Sequence, residues 1–401
     1  MPGRLRELAL LCLKLGTVGY GGPAAHIAML RDEVVERRRW LDEDRFLDLV
    51  GATNLIPGPN STEMVMHVGL LRAGFRGLIV AGSCFVLPAC LISALFGWVY
   101  VRWGSVPQVR PFFDGIPPVV LVVILSALWK MGKGALKSRH LAVPGIAVLA
   151  VCQLDLLTEV PALLAGSVGG MIWLRIAGRG DAGPAAKLLT LGAVGGAGLS
   201  GKAKVALASG GAAAAGGAVA GGAAAGGVTL WGLGLVFLKV GAVLYGSGYV
   251  LVAFLNGELV EKHGWLTSEQ LIDAIAIGQF TPGPLLSTAS FIGYLELGPA
   301  GAAVATCGMF LPSFVFVWLL GAVLHRLRRS VWMGAFLDAV NICAVALMVH
   351  AMIQLGAKTM TGWRPVLLAV IVVPLVFRLK INAAWLVLGG AVAGWVLSFP
   401  G

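Results

Sequence analysis

The tripeptide Pro-Gly-Pro at residues 57–59 interrupts a long apolar run and is followed directly by Asn60, Ser61 and Thr62. Proline cannot continue the interior of a helix, but it fits the first turn of a new one. A helix that begins here exposes free backbone N–H groups and the positive end of its dipole, and the amide and hydroxyl groups add further donors. Such a set of donors is suited to binding an oxyanion.

The same tripeptide returns at residues 282–284, and the residues around it repeat as well. Lys14 corresponds to Lys239 and Asp48 corresponds to Asp273 at the same sequence offset. The chain is therefore two copies of one unit. Corresponding interruptions in the two halves of a membrane protein indicate a transporter's binding site. The alternative is a pair of proline kinks with local capping.

The candidate binding residues are the glycine, polar and cationic positions at or near the two interruptions. They are Lys14, Gly21, Gly22, Asn54, Gly58, Asn60, Ser61, Thr62, Lys239, Tyr245, Gly246, Gln279, Thr281, Gly283, Ser287 and Thr288. An isolated lysine within a spanning segment costs about 2.5–3.5 kcal/mol on insertion scales, so it is usually functional or paired. We expect Lys14 and Lys239 to flank a bound dianion, unless both extend to the membrane interface.

Four titratable residues are candidates for proton coupling: Glu63, His67, Asp48 and Asp273. Glu63 and His67 share one helical face at (i, i+4) spacing, and their counterparts are Thr288 and Ile292. A carboxylate inside the membrane can carry a proton, whereas a Glu–His hydrogen bond in a polar core is the other interpretation. The two aspartates either pair with the lysines or lie at the membrane edge.

The composition predicts a membrane protein. The chain is 58% hydrophobic and 12% charged, whereas soluble domains contain about 25% charged residues. Residues 77–101 and 297–324 lack charged residues, and each run exceeds the roughly 20 residues needed to span a bilayer. We therefore expect an all-α polytopic membrane protein rather than the buried helices of a soluble one. Each half should contain broken helices, either discontinuous or re-entrant.

Cysteine usage and net charge point to no further ligand. The six Cys residues lie in apolar segments without CxxC or Cys/His spacing, so we predict no metal site and no cofactor. The net charge of +11 reports orientation in a membrane protein, and we predict no nucleic-acid partner.

We divide the chain into a first repeat (1–177), an Ala/Gly-rich linker (178–228) and a second repeat (229–401). The stretch 31–45 contains five Arg residues, whereas its counterpart 258–269 is rich in Glu. Cytoplasmic loops carry the excess of Lys and Arg, so this asymmetry favours an inverted-topology repeat whose linker crosses the membrane once. A parallel arrangement is the alternative, and it would place the three Arg residues at 326–329 outside the cell.

These motifs resemble the chromate ion transporter family. The resemblance rests on Gly-x3-Tyr-Gly-Gly-Pro at 16–23, Trp-Leu at 40–41 and Asn-Leu-Ile-Pro-Gly-Pro at 54–59, with their echo in the second half. It covers both halves and excludes only the linker. The sequence departs from the family pattern at Tyr20, where Phe is common, and at 246–248, where Gly-Ser-Gly replaces Gly-Gly-Pro.

The resemblance implies a two-domain bacterial inner-membrane (plasma membrane) protein that exports chromate and confers chromate resistance. The motif residues carried over are Gly21, Gly22, Pro23, Asn54, Pro57, Gly58, Pro59, Tyr245, Gly246, Gln279, Pro282, Gly283 and Pro284. We expect a secondary transporter working by alternating access, and no enzyme. The alternatives are a transporter that imports sulfate or a related oxyanion, an anion channel with the same site and, more weakly, an enzyme acting on the oxyanion. The expected partners are the oxyanion, the lipid bilayer and, as one option, a second copy in a homodimer.

Overall fold

The computed structural model describes residues 2–20, 22–103, 114–136, 139–177, 227–245, 248–327, 331–379 and 381–398. Every regular element within these ranges is a helix, which confirms the expected all-α class for this part of the chain. Gly21, Gly246 and nearly all of the linker at 178–228 lie outside the described residues, and so does the side chain of Asp48.

The two halves contain helices in a similar order. The helices of the first half are α1 (Pro2–Val18), α2 (Pro23–Arg31), α3 (Glu43–Thr53), α4 (Asn60–Trp103), α5 (Ile116–Ala135), α6 (Ala142–Gln153) and α7 (Glu159–Ala177). Those of the second half are α8 (Leu230–Val243), α9 (Leu251–Leu255), α10 (Ser268–Phe280), α11 (Thr288–Leu327), α12 (Val331–Thr359), α13 (Trp363–Phe377) and α14 (Ala383–Ser398). A π-helical turn follows α2 (Asp32–Arg37) and another follows α9 (Asn256–Lys262).

The longest helices, α4 and α11, are both kinked at corresponding positions. The kink in α4 lies at Ala73 and Gly74, and the kink in α11 lies at Leu297 and Gly298. The two glycines have φ values of 64° and 62°, a left-handed conformation that glycine adopts without steric cost. The two halves thus bend their main helix by the same device.

Several helices are long and apolar enough to cross a membrane. Among the described residues they are Asn60–Trp103, Ile116–Ala135, Glu159–Ile176, Leu285–Gly321 and Trp332–Thr359. Large apolar side chains on these helices, such as Leu91 and Trp318, are more than half exposed, as contact with lipid requires. The chain is a multi-pass membrane protein.

The core lies where α1 packs on α4 and where α8 packs on α11, and α4 and α11 also pack on each other. Gly16 of α1 lies directly against the backbone of Phe85, and Gly241 of α8 lies in the same way against Met309. A side chain at either glycine would overlap the neighbouring carbonyl, so these helix pairs approach as closely as backbones can. The close packing fixes the ends of α1 and α8, which face the two interruptions.

Candidate functional site

Each Pro-Gly-Pro interruption is held by a backbone hydrogen bond from the other half. The N–H of Gly58 donates to the carbonyl of Leu244 at 2.6 Å, and the N–H of Gly283 donates to the carbonyl of Gly19 at 2.8 Å. Gly19 and Leu244 are corresponding residues that directly follow α1 and α8. Each interruption therefore lies against the end of the first helix of the opposite half, through two reciprocal bonds.

The chain leaves its helices at these points for local reasons. Helix α3 ends at Thr53 and α4 begins at Asn60, whose side-chain amide donates to Asn54 Oδ1 at 2.6 Å across the interruption. Helix α10 begins with a capping box at Thr267 and ends at Phe280, before the second Pro-Gly-Pro. The proline rings prevent either helix from continuing.

The first interruption carries a buried carboxyl group without a partner. Glu63 is fully buried, and within the described residues neither of its carboxylate oxygens has a hydrogen-bond partner. It packs against Gly58, beside the hydroxyl of Ser313 from α11. Thr62 Oγ1, His67 Nε2 and Ser313 Oγ are also buried without hydrogen-bond partners there. Such groups are costly in a core, so the geometry leaves donors and acceptors free to bind a proton or a ligand.

The predicted alternative for Glu63, a hydrogen bond to His67, does not occur among the described residues. Ser61, the other predicted hydroxyl of this helix start, contacts His26 instead. His26 Nδ1 lies 3.3 Å from Ser61 Oγ, and His26 Nε2 lies 3.0 Å from the carbonyl oxygen of Gly19. The Gly19 carbonyl also accepts the backbone hydrogen bond from Gly283. The His26 imidazole therefore connects Ser61 at the first interruption to the hydrogen bond that holds the second interruption. The sequence reasoning did not select His26 as a site residue, although it closely follows the Gly22-Pro23 motif.

The second interruption is lined by hydroxyl groups that have hydrogen-bond partners in neighbouring hydroxyls or backbone carbonyls. Ser93 Oγ of α4 lies 3.0 Å from Ser287 Oγ and 3.4 Å from Thr281 Oγ1. Thr281 Oγ1 donates to the carbonyl of Ile277 at 2.7 Å, and Thr288 Oγ1 donates to the carbonyl of Leu285 at 2.8 Å. Of the predicted residues, Thr281 and Ser287 are therefore brought together by Ser93 of the other half, whereas Thr288 bonds to the backbone of its own segment.

The two predicted lysines are ion-paired. Lys14 Nζ donates to Glu33 Oε1 at 2.7 Å, and Lys239 Nζ donates to Glu258 Oε1 at 2.5 Å. Glu33 and Glu258 are corresponding residues in the two π-helical turns. The hydrogen bond from Lys14 holds the pKa of the Glu33 carboxyl below its usual value. Each lysine thus pairs with a carboxylate that the sequence reasoning did not select. Each carboxylate also contacts other cations, since Glu33 contacts Arg37 and Arg38, and Glu258 contacts Lys262.

Asp273 forms no ion pair with Lys14 or Lys239 in the described contacts, and the prediction for the Asp48 side chain lies outside the described residues. Asp273 Oδ2 accepts a hydrogen bond from the Tyr100 hydroxyl at 2.8 Å. Asp273 is buried, and its Oδ1 has no hydrogen-bond partner within the described residues. Tyr245 also serves packing, since its ring meets the ring of Phe336 edge-to-face with centroids 6.2 Å apart.

A cavity of about 330 Å³ lies against the second interruption. Its wall contains four residues from the predicted set, namely Gly22, Gln279, Thr281 and Gly283. Gln279 Oε1 lies 3.4 Å from the Tyr249 hydroxyl, which also lines the cavity. At about 30 Å³ per water molecule, the volume accommodates a small hydrated anion.

The remaining polar wall of the cavity comes from elements far apart in the sequence. Ser126 and Lys130 of α5 and Asn382 before α14 contribute to it. Helix α2 begins at Pro23, which also lines the cavity, so free N–H groups of a helix start lie nearby. Lys130 supplies a cation that the sequence reasoning did not select, whereas Lys14 and Lys239 do not contribute to the wall.

Comparison with known proteins gives a consistent result. The family model described as chromate transporter matches residues 6–174 and 231–395. A chromate transport protein of Pseudomonas aeruginosa is 31% identical over 409 residues, covering 100% of this chain and 94% of the relative. One of Cupriavidus metallidurans is 29% identical over 396 residues, covering 99% and 94%. An uncharacterized transporter of Methanocaldococcus jannaschii is 25% identical over 385 residues, covering 96% and 92%. No solved structure matches this chain.

Proposed function

Because the chain belongs to the chromate transporter family, whose members are transporters and not enzymes, we propose that it exports chromate across the plasma membrane and confers chromate resistance. The observation that carries this proposal is the cavity at the second interruption. Its wall combines a side-chain amide, hydroxyl groups, the start of α2 and the ammonium group of Lys130. A tetrahedral oxyanion is held by N–H donors with one positive charge, which here come from the Gln279 and Asn382 amides, the start of α2 and Lys130.

We place the anion in this cavity and not between Lys14 and Lys239. Both lysines are already paired with carboxylates, and neither lines the cavity. A dianion between them would have to compete with Glu33 and Glu258. Lys130 has no carboxylate partner among the described residues, so its charge is available to the substrate.

Transport by alternating access requires two halves that can rearrange around a shared site. The reciprocal bonds of Gly58 and Gly283, together with the matched kinks at Gly74 and Gly298, support a pseudo-twofold relation between the halves. The distribution of Lys and Arg favours the inverted form of that relation, with the linker crossing the membrane once. With the cell interior negative, the membrane potential favours export of a dianion by about 2.3 kcal/mol per charge per 100 mV.

The first interruption supplies a candidate for proton coupling. Glu63 is fully buried, and no cation is paired with it among the described residues. A carboxyl group in such a place is stable when it carries a proton, and becoming charged requires a change in its surroundings. Glu63 is thus suited to link the arrival or departure of a proton to a rearrangement at Gly58.

The test is uptake of radiolabelled chromate into inside-out membrane vesicles, with sulfate and molybdate as competitors. We expect saturable chromate uptake, stimulated by chromate preloaded inside the vesicles, and recovery of chemically unchanged chromate. Preferential transport of sulfate would instead identify sulfate as the substrate. Flux that neither saturates nor shows this exchange would identify a channel.

The cavity placement is tested in the same vesicles with Lys130→Gln. A hydrogen bond to a charged group contributes about 1.5–3 kcal/mol, so the KM for chromate should rise by about tenfold or more. Lys133→Gln is the matched control, because Lys133 lies on the same helix, over the Trp129 ring at 4.8 Å, and does not line the cavity. An unchanged KM for chromate in Lys130→Gln would show that the anion does not bind in this cavity.

A further inference from the structure

A second polar cluster lies away from the cavity, where the start of α7 meets the second π-helical turn and α12. Glu159, Glu261 and His350 each place one ligand atom there, and these atoms all lie within 4.8 Å of one another. Glu159 and His350 are buried, whereas Glu261 is exposed. The sequence predicted no metal site, because that prediction rested on the spacing of the cysteines. Glu159, Glu261 and His350 are far apart in the chain, so their proximity is visible only in the structure.

The two carboxylates of this cluster have no cationic partner within the described residues. Glu258, in the same π-helical turn, forms salt bridges with Lys239 at 2.5 Å and with Lys262 at 3.1 Å. Glu261 accepts from the Asn256 amide at 2.6 Å, and no salt bridge of Glu159 occurs among the described residues. Two neighbouring carboxylates repel each other when both are ionised, and a shared proton or a bound cation relieves that repulsion.

The first half shows what the second half lacks. Glu36 is the counterpart of Glu261 and pairs with Arg31 at 2.7 Å. The counterpart of Arg31 is Asn256, which is neutral. The exchange of arginine for asparagine leaves Glu261 available to another positive group.

An independent observation also points to a ligand. His350 is 4% exposed, and its Nδ1 has no hydrogen-bond partner among the described residues. Its Nε2 lies 3.2 Å from Gln354 Nε2, and Gln354 Oε1 accepts from Asn256 at 2.6 Å. Asn256 in turn holds Glu261, and its own Oδ1 is buried without a partner. The cluster is therefore an ordered network with free nitrogen and oxygen atoms.

We propose that Glu159, Glu261 and His350 bind a divalent transition cation of the Mn²⁺ or Zn²⁺ class. Two carboxylate oxygens with one imidazole nitrogen are ligands that these ions accept. Bonds of about 2.0–2.2 Å place neighbouring ligand atoms roughly 3–4 Å apart, which rotation of the exposed Glu261 side chain brings within reach. The cation would join α7 of the first half to the π-helical turn and α12 of the second.

The test is titration of Mn²⁺ into the purified full-length protein in detergent, with free Mn²⁺ measured by electron paramagnetic resonance. We expect one bound Mn²⁺ per chain that Zn²⁺ displaces, and a higher unfolding temperature with Mn²⁺ present. Glu261→Gln should weaken binding by at least about tenfold, and because this side chain is exposed the variant should still fold. Glu159→Gln should weaken it further.

Glu36→Gln is the matched control, since it alters the corresponding carboxylate of the other half and should leave Mn²⁺ binding unchanged. Binding of Mn²⁺ that is equal in the unaltered protein, Glu261→Gln and Glu159→Gln would overturn the proposal. Absence of Mn²⁺ and Zn²⁺ binding to the folded, unaltered protein would overturn it as well, and would favour a proton shared by the two carboxylates.

Discussion

The two Pro-Gly-Pro interruptions have the same backbone arrangement and different side-chain chemistry. At the first, Glu63 and Thr62 are buried without hydrogen-bond partners among the described residues. At the second, Ser93, Thr281 and Ser287 form a group of neighbouring hydroxyls beside the cavity. A buried polar group without a partner costs about 1–3 kcal/mol, so the first interruption bears more of this cost than the second, where Gln279 Nε2 is also unpaired among the described residues. We infer that the second interruption serves the anion and the first serves a proton.

The shared backbone arrangement is tested first, because its loss should have the largest effect. Gly58→Ala places a methyl group against Glu63 and Ser313 at a φ of 141°, where other residues are strained. We expect it to destabilise the protein by about 3 kcal/mol or more in detergent unfolding experiments. Gly283→Ala, at a φ of 97° and with Ala89 Cβ 2.9 Å away, should be nearly as severe.

The control for both substitutions is Gly389→Ala, because a Cβ at this position in α14 would meet no atom within 4 Å. If Gly58→Ala unfolds at the same denaturant concentration as Gly389→Ala, the reciprocal backbone bonds do not hold the interruptions together.

The different roles of the two interruptions are tested by corresponding substitutions. Glu63→Gln keeps the side-chain shape and removes its ionisation, so chromate transport should fall by about tenfold and lose its dependence on pH. Thr288→Val, at the corresponding position, should retain that dependence. A normal pH profile in Glu63→Gln would exclude Glu63 as the coupling group.

Loss of the Ser93 hydroxyl at the second interruption should affect transport less than loss of the Glu63 carboxyl group. Ser93→Ala removes the hydroxyl that lies between Ser287 and Thr281, and we expect the KM for chromate to rise by about two- to tenfold. Ser167→Ala is the control, because Ser167 is also buried, donates to the Leu163 carbonyl of its own helix and does not line the cavity. Equal kinetics of the two variants would show that the hydroxyl cluster is structural.

The smallest effect is expected from the paired lysines. The folded protein holds the pKa of Glu33 below its usual value, chiefly through Lys14. This pair therefore stabilises the fold fully above the unfolded-state pKa of about 4.3, and the contribution is lost as the pH falls through the lower folded-state pKa. Its size should be about 1 kcal/mol or less, since Lys14 is half exposed.

The measurement is the unfolding midpoint of Glu33→Gln and of the unaltered protein between pH 7 and about pH 3. The variant should be less stable at pH 7, and the difference should shrink on acidification. A difference that stays constant across this range would mean that Glu33 stabilises the fold without its charge.

The sequence was sufficient to predict the features that local chemistry determines. The all-α class and the membrane-spanning helices follow from apolar runs, and the family resemblance, carried by motifs such as the Pro-Gly-Pro at 57–59, is confirmed by the family match. The helices also end before each Pro-Gly-Pro, because proline acts on its own neighbours. The placement of the anion and the inversion of the halves stay predictions.

The parts of the site that depend on distant elements could not be predicted in this way. Lys130 and Ser93 reach the second interruption only through the packing of α5 and α4. The partner of Lys14 is different, because Glu33 and Lys14 have the same separation as Glu258 and Lys239. That repeated spacing was available in the sequence, but without the π-helical turns it did not show which carboxylate reaches the lysine.

The reciprocal bonds at Gly58 and Gly283 have a consequence for how the two halves could diverge after duplication. Each acceptor is a main-chain carbonyl, and one belongs to a glycine and the other to a leucine, Gly19 and Leu244. Substitution of these acceptor side chains does not remove the bond, because every residue has a carbonyl. Corresponding positions can therefore hold different residues, such as Glu63 and Thr288 or Arg31 and Asn256, while the two halves stay connected. A connection made by backbone atoms is compatible with different side chains in the two halves.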